Sequence, residues 1–306
     1  MHFSKHLIRV LPRIVHRQYS SDIERAAIDK LRASSKYVTV DFSTKDGVAV
    51  LAMNYQAKKN ALSRSFVSSL SEAVKELEMD NKSRVAIVCS LVSDVFCAGA
   101  DLIERAEVPD IDTPDLVAGL RSLFQRIYLL PMPTIAAVDG AAFGGGLELA
   151  LACDIRYAGI LPKCRLGLVE THWALLPGAG GSQRLPRLIG EAKAKELMYA
   201  AMKITAEEAE HLGVVNTAVN PKTVPSAWAD MPGLYHSLQY ASKVCTKGPL
   251  AVRQLKKAVN QGLAVGSLEA GLSIEGQCYR VLIPTRDRKE GMLAFKEKRE
   301  PVYHGL

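Results

Sequence analysis

Two glutamates, Glu148 and Glu170, lie in a part of the chain that is rich in glycine. Glu148 follows three consecutive glycines at a predicted helix start, and Glu170 lies in a short turn with the glycine-rich residues 177–181 close behind it. Glycines at a helix start leave backbone N–H groups pointing outward at the positive end of the helix, where they suit a developing oxyanion. Two carboxylates beside such N–H groups predict the addition of water across a polarised double bond.

Each of these features also has a plain structural interpretation. Three glycines can serve close packing of a helix on a strand, and they lack the GxGxxG spacing of dinucleotide sites. Glu170 could simply be an exposed glutamate. Residues 96–102 (FCAGADL) are small enough for close approach of the backbone to a ligand, although a strand-to-helix turn also explains them. Residues 58–62 (KKNAL) suit phosphates, although a solvated surface turn would have the same composition.

Composition sets the broad class of the chain. Its 306 residues are 48% hydrophobic and 23% charged, enough to bury the core of one large domain, with or without an appendage. No apolar run reaches the roughly 18–20 residues of a membrane span, so none is predicted. The six cysteines show no CxxC or metal-ligand spacing and predict buried free thiols. No histidine lies in an HExxH pattern, so no catalytic metal is predicted.

The first 21 residues differ from the rest of the chain. They carry four Lys or Arg residues at intervals of four, with apolar residues between them, and no acidic residue precedes Asp22. This pattern predicts a mitochondrial transit peptide over residues 1–21, processed near residues 17–20, and a location in the mitochondrial matrix. The alternative is an exposed basic arm that binds nucleic acid or membrane. Removal of the four basic residues lowers the net charge from +7 to +3.

Strands and helices alternate after this leader. The pattern predicts strands at residues 37–43, 48–54, 84–90, 134–138 and 155–158. It predicts helices at residues 63–79 and 115–128 and one that ends at residue 152, then further helices at 250–265, 267–281 and 287–299. A capping box over residues 205–208 opens another helix. The alternation predicts an α/β fold with parallel strands, a core over residues 36–220 and a C-terminal helical region over residues 221–306.

The combination KNALS, FCAGADL, GGGLELALACD, GLVET and LPGAGGSQRLPR resembles the crotonase superfamily, that is, the enoyl-CoA hydratase/isomerase family. The resemblance covers about residues 37–303. The tail, with IPTRDR at residues 283–288, is most similar to the mitochondrial branch that contains methylglutaconyl-CoA hydratase and the enoyl-CoA-hydratase-domain proteins. The resemblance implies a spiral of ββα repeats, a C-terminal helical trimerisation region and a hexamer made of two trimers.

The resemblance also implies roles for individual residues. The substrate would be an acyl-CoA thioester, with no separate cofactor, and its thioester oxygen would lie between the N–H groups of Ala100 and Gly145. Glu148 would deprotonate the water that attacks C3, and Glu170 would protonate C2. The residues implied to line the CoA site are Lys58, Lys59, Asn60, Ala61, Leu62, Ala98, Asp101 and Leu102. Because members that only isomerise often lack the first carboxylate, the pair favours a hydratase.

The sequence departs from the family pattern in two places. The two glutamates are 22 residues apart where the family implies 20, so a longer connection could displace Glu170. His172 and Trp173 are bulkier than the family pattern and could narrow the acyl pocket.

The leading hypothesis is a mitochondrial enoyl-CoA hydratase of fatty-acid or branched-chain amino-acid breakdown. The alternatives are 3-methylglutaconyl-CoA hydratase of leucine degradation, which needs a cation for the distal carboxylate, and a non-catalytic or RNA-binding protein. An RNA-binding relative carries a row of lysines along one helix. At the matching positions this chain has Arg64, Ser68 and Glu72, so only one positive charge remains and RNA binding is not expected.

Overall fold

Strands and helices alternate through the first two thirds of the protein. A computed structural model describes the backbone of residues 11–306 and the side chains of residues 21–306. Its strands are β1 (Val38–Lys45), β2 (Val48–Met53), β3 (Val85–Ser90), β4 (Val95–Cys97), β5 (Thr134–Val138), β6 (Ala141–Phe143), β7 (Ile155–Gly159), β8 (Arg165–Gly167), β9 (Ile204–Thr205) and β10 (Thr217–Val219). Its helices are α1 (Leu11–Arg32), α2 (Arg64–Met79), α3 (Leu102–Ala106), α4 (Thr113–Leu129), α5 (Gly145–Ala152), α6 (Gly181–Ile189), α7 (Glu191–Tyr199), α8 (Ala206–Leu212), α9 (Pro232–Cys245), α10 (Pro249–Ala264), α11 (Leu268–Leu282) and α12 (Arg286–Glu297).

The strands form two sheets. The larger has the order β1-β2-β3-β5-β7-β10, and the smaller has the order β4-β6-β8-β9. The β1–β2 and β8–β9 pairs are antiparallel and the other pairs are parallel. Strands β2, β3 and β5 are buried along their whole length, as expected for parallel strands covered on both faces. The α/β prediction with parallel strands is confirmed.

One face of the larger sheet packs against α2, α4 and α5. The amphipathic helix α2 begins at its N-cap Ser63, whose hydroxyl accepts a hydrogen bond from the N–H of Phe66. Its buried side chains recur at helical spacing at Phe66, Leu70 and Leu77. This layer holds the loops that follow the strands, and with them the predicted site residues.

The opposite face of the larger sheet is covered by α1 and α9. Ile28 of α1 is completely buried in the same apolar cluster as Trp228, Leu234 and Leu238. Arg25 of α1 forms an ion pair with Asp230 over 2.7 Å. The described C-terminal half of α1 is therefore part of the folded core. Residues 1–10 of the predicted leader lie outside the described residues, as do the side chains of residues 11–20.

The last three helices stand away from this core. No side chain of α10 is buried, and α11 buries only Cys278, whereas α9 buries six residues against the sheet. Lys256 of α10 links the helical region to the core through an ion pair with Asp154 over 2.7 Å. The division of the core from the C-terminal region at residue 220 remains a prediction.

Several other sequence predictions concern the described residues. All six cysteines are free, and five of them are buried, as predicted. In residues 21–306 no group of three or more His, Cys, Asp or Glu side chains could hold a metal ion. No helix among the described residues is both long and apolar enough to span a membrane.

Candidate active site

Glu148 lies in the first turn of α5 and is almost completely buried. The residue before the helix, Gly144, has φ +51° and ψ −123°, a conformation that strains any side chain. A Cβ atom on Gly146 would lie 2.3 Å from the carbonyl oxygen of Cys97. Gly144 therefore turns the chain into the helix, and Gly146 allows the helix to approach β4 closely.

Two backbone N–H groups hold one carboxylate oxygen of Glu148. The N–H of Ala179 donates to Oε1 over 2.8 Å, and the N–H of Gly181 donates to the same oxygen over 2.7 Å. Ala179 lies in the glycine-rich loop before α6, and Gly181 is the first residue of that helix. The second oxygen, Oε2, lies 3.9 Å from the position of a Cβ atom on Gly145. One oxygen is thus anchored, and the other faces the helix start.

Glu170 reaches the same helix start from another element. It opens a short 3-10 turn, Glu170–Trp173, in which the hydroxyl of Thr171 donates to the carbonyl of Met198 over 2.6 Å. Its Oε1 lies 3.1 Å from the position that a Cβ atom on Gly144 would occupy. The carboxyl group of Glu170 therefore lies against the glycine turn that precedes Glu148.

The longer connection between the two glutamates does not move Glu170 away from the site. Residues 160–164 form a turn, closed by a hydrogen bond from the N–H of Cys164 to the carbonyl of Leu161. After it, β8 pairs with β6, and the N–H of Gly144 donates to the carbonyl of Gly167 over 2.8 Å. A short extension of a surface turn costs little free energy. His172 and Trp173 contact each other edge to face and are exposed.

The N–H groups of Ala100 and Gly145 lie beside the carboxylates. Gly99, with φ +90°, turns the chain before Ala100, and its carbonyl accepts a hydrogen bond from the N–H of Leu62 over 2.8 Å. Gly145 is the first residue of α5, so its N–H has no acceptor within the helix. A Cβ atom on Gly145 would lie 4.0 Å from the nitrogen of Ala100 and 3.9 Å from Oε2 of Glu148. The predicted donors and the predicted base therefore meet at one place.

Burial raises the pKa of both glutamates, but their surroundings differ. For Glu148, hydrogen bonds from Gly181 and Ala179 and the charge of Arg184 oppose the rise in pKa. For Glu170, burial and the charge of Glu148 raise the pKa to about 7. Its Oε2 is buried and has no hydrogen-bond partner in the described part of the chain. This asymmetry suits Glu148 to the role of base and Glu170 to that of acid.

The predicted CoA-site residues gather around the loop that carries Ala100. The N–H of Ala98 donates to the carbonyl of Lys59 over 3.1 Å. The ammonium group of Lys58 pairs with Asp101 over 2.6 Å, so an acidic neighbour already offsets part of its charge. Leu102 follows Asp101 as the first residue of α3 and is partly exposed. Ala61 and Leu62 are buried just beneath this surface.

Asn60 has a different place from the other members of this group. It is completely buried and has φ +54°. Its Oδ1 accepts from the N–H of Tyr55 over 2.7 Å, and its Nδ2 donates to Ser90 Oγ and to the Phe96 carbonyl. The Asn60 side chain therefore fixes the loop from inside, and its backbone N–H and carbonyl are bound to Tyr55 and Cys97, so Asn60 supports the site without facing a ligand.

Two arginines near the glutamates were not singled out from the sequence. Arg184 of α6 lies beside the loop that holds Glu148, within the QRLPR segment of the motif. The positive charge of Arg105 on α3 opposes the rise in the pKa of both Glu148 and Glu170. Their proximity to the site depends on how α3 and α6 pack, which no local sequence pattern shows.

Comparison with known proteins identifies the family of the chain. The model of the family described as enoyl-CoA hydratase/isomerase matches residues 43–305. The chain belongs to this family. It is 46% identical over 259 residues to human mitochondrial methylglutaconyl-CoA hydratase, covering 85% of this chain and 74% of the relative. It is 42% identical over 304 residues to mouse enoyl-CoA hydratase domain-containing protein 2, mitochondrial, covering 98% of this chain and all of the relative.

Solved structures support the same membership in the enoyl-CoA hydratase/isomerase family. The crystal structure of enoyl-CoA hydratase from Bacillus anthracis superposes with a TM-score of 0.81 at 39% identity, and the match covers 89% of this chain and all of that one. The predicted crotonase-like α/β fold and the predicted type of enzyme are confirmed. The roles of the individual site residues remain predictions.

Proposed function

We propose that the protein is an enoyl-CoA hydratase that adds water across the 2,3 double bond of a short or branched enoyl-CoA thioester. The observation that carries this proposal is the different setting of the two carboxyl groups. Oε1 of Glu148 is held by two N–H groups, which leaves Oε2 to accept a proton from water as its oxygen bonds to C3. Glu170, whose pKa is about 7, then donates its proton to C2.

Negative charge develops on the thioester oxygen as water adds. In this proposal the N–H groups of Ala100 and Gly145 bind this oxygen, and each such preorganised donor is worth about 3–4 kcal/mol of transition-state stabilisation. The reaction needs no separate cofactor, because coenzyme A is part of the substrate. Lys58, Lys59 and Arg64, here called the basic cluster, lie on the surface beside this site, where they can meet the CoA phosphates.

The test is hydration of a short straight-chain enoyl-CoA by the purified protein and by the variants Glu148→Gln and Glu170→Gln. Each variant removes a proton-transfer group with little change in volume, so kcat should fall by roughly 100-fold or more. The matched control is Glu76→Gln on the exposed face of α2, which should keep full activity. Near-normal hydration by either site variant would contradict the proposal.

A second candidate is 3-methylglutaconyl-CoA hydratase. Its substrate carries a distal carboxylate, which needs a cation beside the reacting atoms. Arg105 is half-buried, and its side chain makes no ion pair or hydrogen bond with any residue of the range 21–306. Its charge acts on both glutamates. A free guanidinium so placed suits a carboxylate on the acyl group.

A substrate panel separates these two activities. The kcat/KM values for crotonyl-CoA and 3-methylglutaconyl-CoA are measured for the unmodified protein and for Arg105→Gln. If the dicarboxylic substrate is the natural one, the arginine variant should lose roughly tenfold or more of its preference for that substrate. An unchanged ratio between the two substrates would leave the straight-chain activity as the better assignment.

We also propose that the protein works as a homo-oligomer, with a hexamer made of two trimers as the expected state. The C-terminal helices expose many large apolar side chains in the single chain, more than a stable monomer normally leaves uncovered. They include Leu255, Val259, Leu263, Leu268, Leu272, Tyr279, Met292 and Phe295. Sedimentation of the purified protein tests the number of subunits.

The proposed location is the mitochondrial matrix, in line with the leader and with relatives whose names place them in mitochondria. We expect little RNA binding. In the basic cluster, Lys58 pairs with Asp101, and Arg64 lies 3.7 Å from Glu104. These acidic partners weaken the field that would attract a phosphate backbone.

A further inference from the structure

The loop that holds Glu148 is itself held by another side chain. The N–H groups of Ala179 and Gly181 bind Oε1 of Glu148, and Gly180 between them has φ +114°, in the left-handed region. A backbone in this conformation keeps both N–H groups on one oxygen only while its peptide planes stay in place. The orientation of Glu148 therefore depends on whatever fixes this loop.

The side chain that fixes this loop is Arg184. Its Nη1 donates to the carbonyl of Ala179 over 3.0 Å, so it binds the same residue whose N–H binds Glu148. The guanidinium also fills the space beside Gly180, because a Cβ atom there would lie 2.1 Å from Nη1. The loop thus lies between the arginine on one side and the carboxylate on the other.

Helix α4 fixes the guanidinium from a third direction. Nη2 of Arg184 donates to Oε1 of Gln125 over 3.0 Å. The guanidinium carbon lies 5.8 Å from the centre of the Tyr128 ring, within the range of a cation–π contact. Arginine suits such a place because its planar fork can bind two acceptors and contact a ring at once.

We propose that Arg184 is a positioning residue for catalysis, which locks the residue 179–181 loop so that Glu148 is held as an oriented base. The inference rests on the proposed hydratase function, but it assigns a role to a residue that touches neither the thioester nor the attacking water. Gln125 and Tyr128 support Arg184 from α4 in the same role.

The charge of Arg184 has a second effect on Glu148. Burial raises the pKa of Glu148, and the positive charges of Arg184 and of Arg105 on α3 oppose that rise. Glu170 is the acidic group that faces Glu148 from the 3-10 turn, and Tyr128 and Cys153 are the other titratable groups near the guanidinium. Loss of the Arg184 charge should raise the pKa of Glu148, so the acidic limb of the kcat/KM profile should move to higher pH.

The experiment compares Arg184→Gln and Arg184→Lys with Arg187→Gln, a matched change on the exposed side of the same helix. In Arg184→Gln, kcat should fall roughly 10- to 100-fold through misplacement of the base, while KM changes little. The lysine variant keeps the positive charge, so its acidic limb should match that of the unmodified protein. Its kcat should be restored only in part. Arg187→Gln should match the unmodified protein. Circular dichroism confirms that each variant is folded.

A double variant decides whether Arg184 acts through Glu148. In the Glu148→Gln background, Arg184→Gln should cause less than a threefold further loss, because the base it positions is already gone. Equal losses with and without Glu148, or an Arg184→Gln variant with a normal kcat and acidic limb, would overturn the inference. Failure of the hydratase proposal is distinguishable, because Glu148→Gln alone would then remain active.

Discussion

The raised pKa of Glu170 predicts how activity falls at high pH. Its pKa is raised from 4.5 to about 7, first by burial and then by the charge of Glu148. At pH 7 about half of the molecules should therefore carry the proton that C2 needs, and at pH 8 about one in ten. With an ordinary pKa of 4.5, only roughly one in 300 would carry it at pH 7. The environment of Glu170 thus increases the competent fraction more than 100-fold.

The assay measures kcat/KM for a short enoyl-CoA between pH 5 and 9. The reaction is monitored through the loss of absorbance of the conjugated thioester. The basic limb should bend near pH 7 and then fall about tenfold per pH unit. Arg105→Gln should move this limb to higher pH, because Arg105 lowers the pKa of Glu170. Glu76→Gln on the exposed face of α2 should leave it unchanged.

Two results would refute this reasoning about Glu170. One is a profile that stays flat from pH 6 to pH 9 in the unmodified protein. The other is a Glu170→Gln variant whose residual activity keeps the same basic limb, since another group would then carry the proton. Comparison of the kcat and kcat/KM profiles separates ionisation of the free protein from that of the bound complex.

The remaining predictions concern stability, processing and RNA. Because the folded state holds the Glu170 carboxyl protonated up to about pH 7, its burial lowers stability progressively from pH 4.5 to 7 and fully above that range. Glu170→Gln should therefore be more stable than the unmodified protein at pH 8, by up to about 2–3 kcal/mol after allowance for partial exposure, and equally stable at pH 4.5, as measured by urea unfolding. Lys256→Met should cost about 1–3 kcal/mol in the same assay, because Asp154 loses its ion-pair partner but keeps its hydrogen bonds from Thr134; a loss below 0.5 kcal/mol would show that the pair is dispensable. N-terminal sequencing of protein from mitochondria should find a start near residue 21, and an intact Met1 would contradict the leader prediction. Anisotropy titration at physiological salt should find weak or no binding of AU-rich RNA, and tight, selective binding would contradict this expectation.

Local patterns in the sequence predict much of the fold. The helix predicted at residues 63–79 is found as Arg64–Met79, and the strand predicted at residues 134–138 is found at those residues. Both carry their signal within one segment, as an apolar stripe or a buried β-branched run. Strands β9 and β10 span only two and three residues, too few to show a period. The burial of Ile28 against Trp228 depends on a contact between distant parts of the chain.

The candidate site, like the fold, contains some residues that local sequence predicts and others that it does not. Glu148, Glu170 and the glycines before α5 can be predicted from the sequence, because a turn that requires glycine is recognisable as a run of glycines. The two N–H groups that hold Glu148 come from residues 31 and 33 positions further along the chain. Nothing in the glycine-rich loop itself shows which side chain it will bind. The buried role of Asn60 is hidden for the same reason, since its partners lie on three different segments.

Glu148 and Glu170 have identical side chains, and the surrounding backbone gives them opposite roles. Two N–H groups and a nearby guanidinium favour the anion at Glu148, whereas an unpartnered oxygen and the charge of its neighbour favour the protonated form at Glu170. Each group depends on the other, because the negative charge on Glu148 is part of what keeps the proton on Glu170. Neutralising the base should therefore weaken the acid as well, so the losses in Glu148→Gln and Glu170→Gln should combine to less than their product.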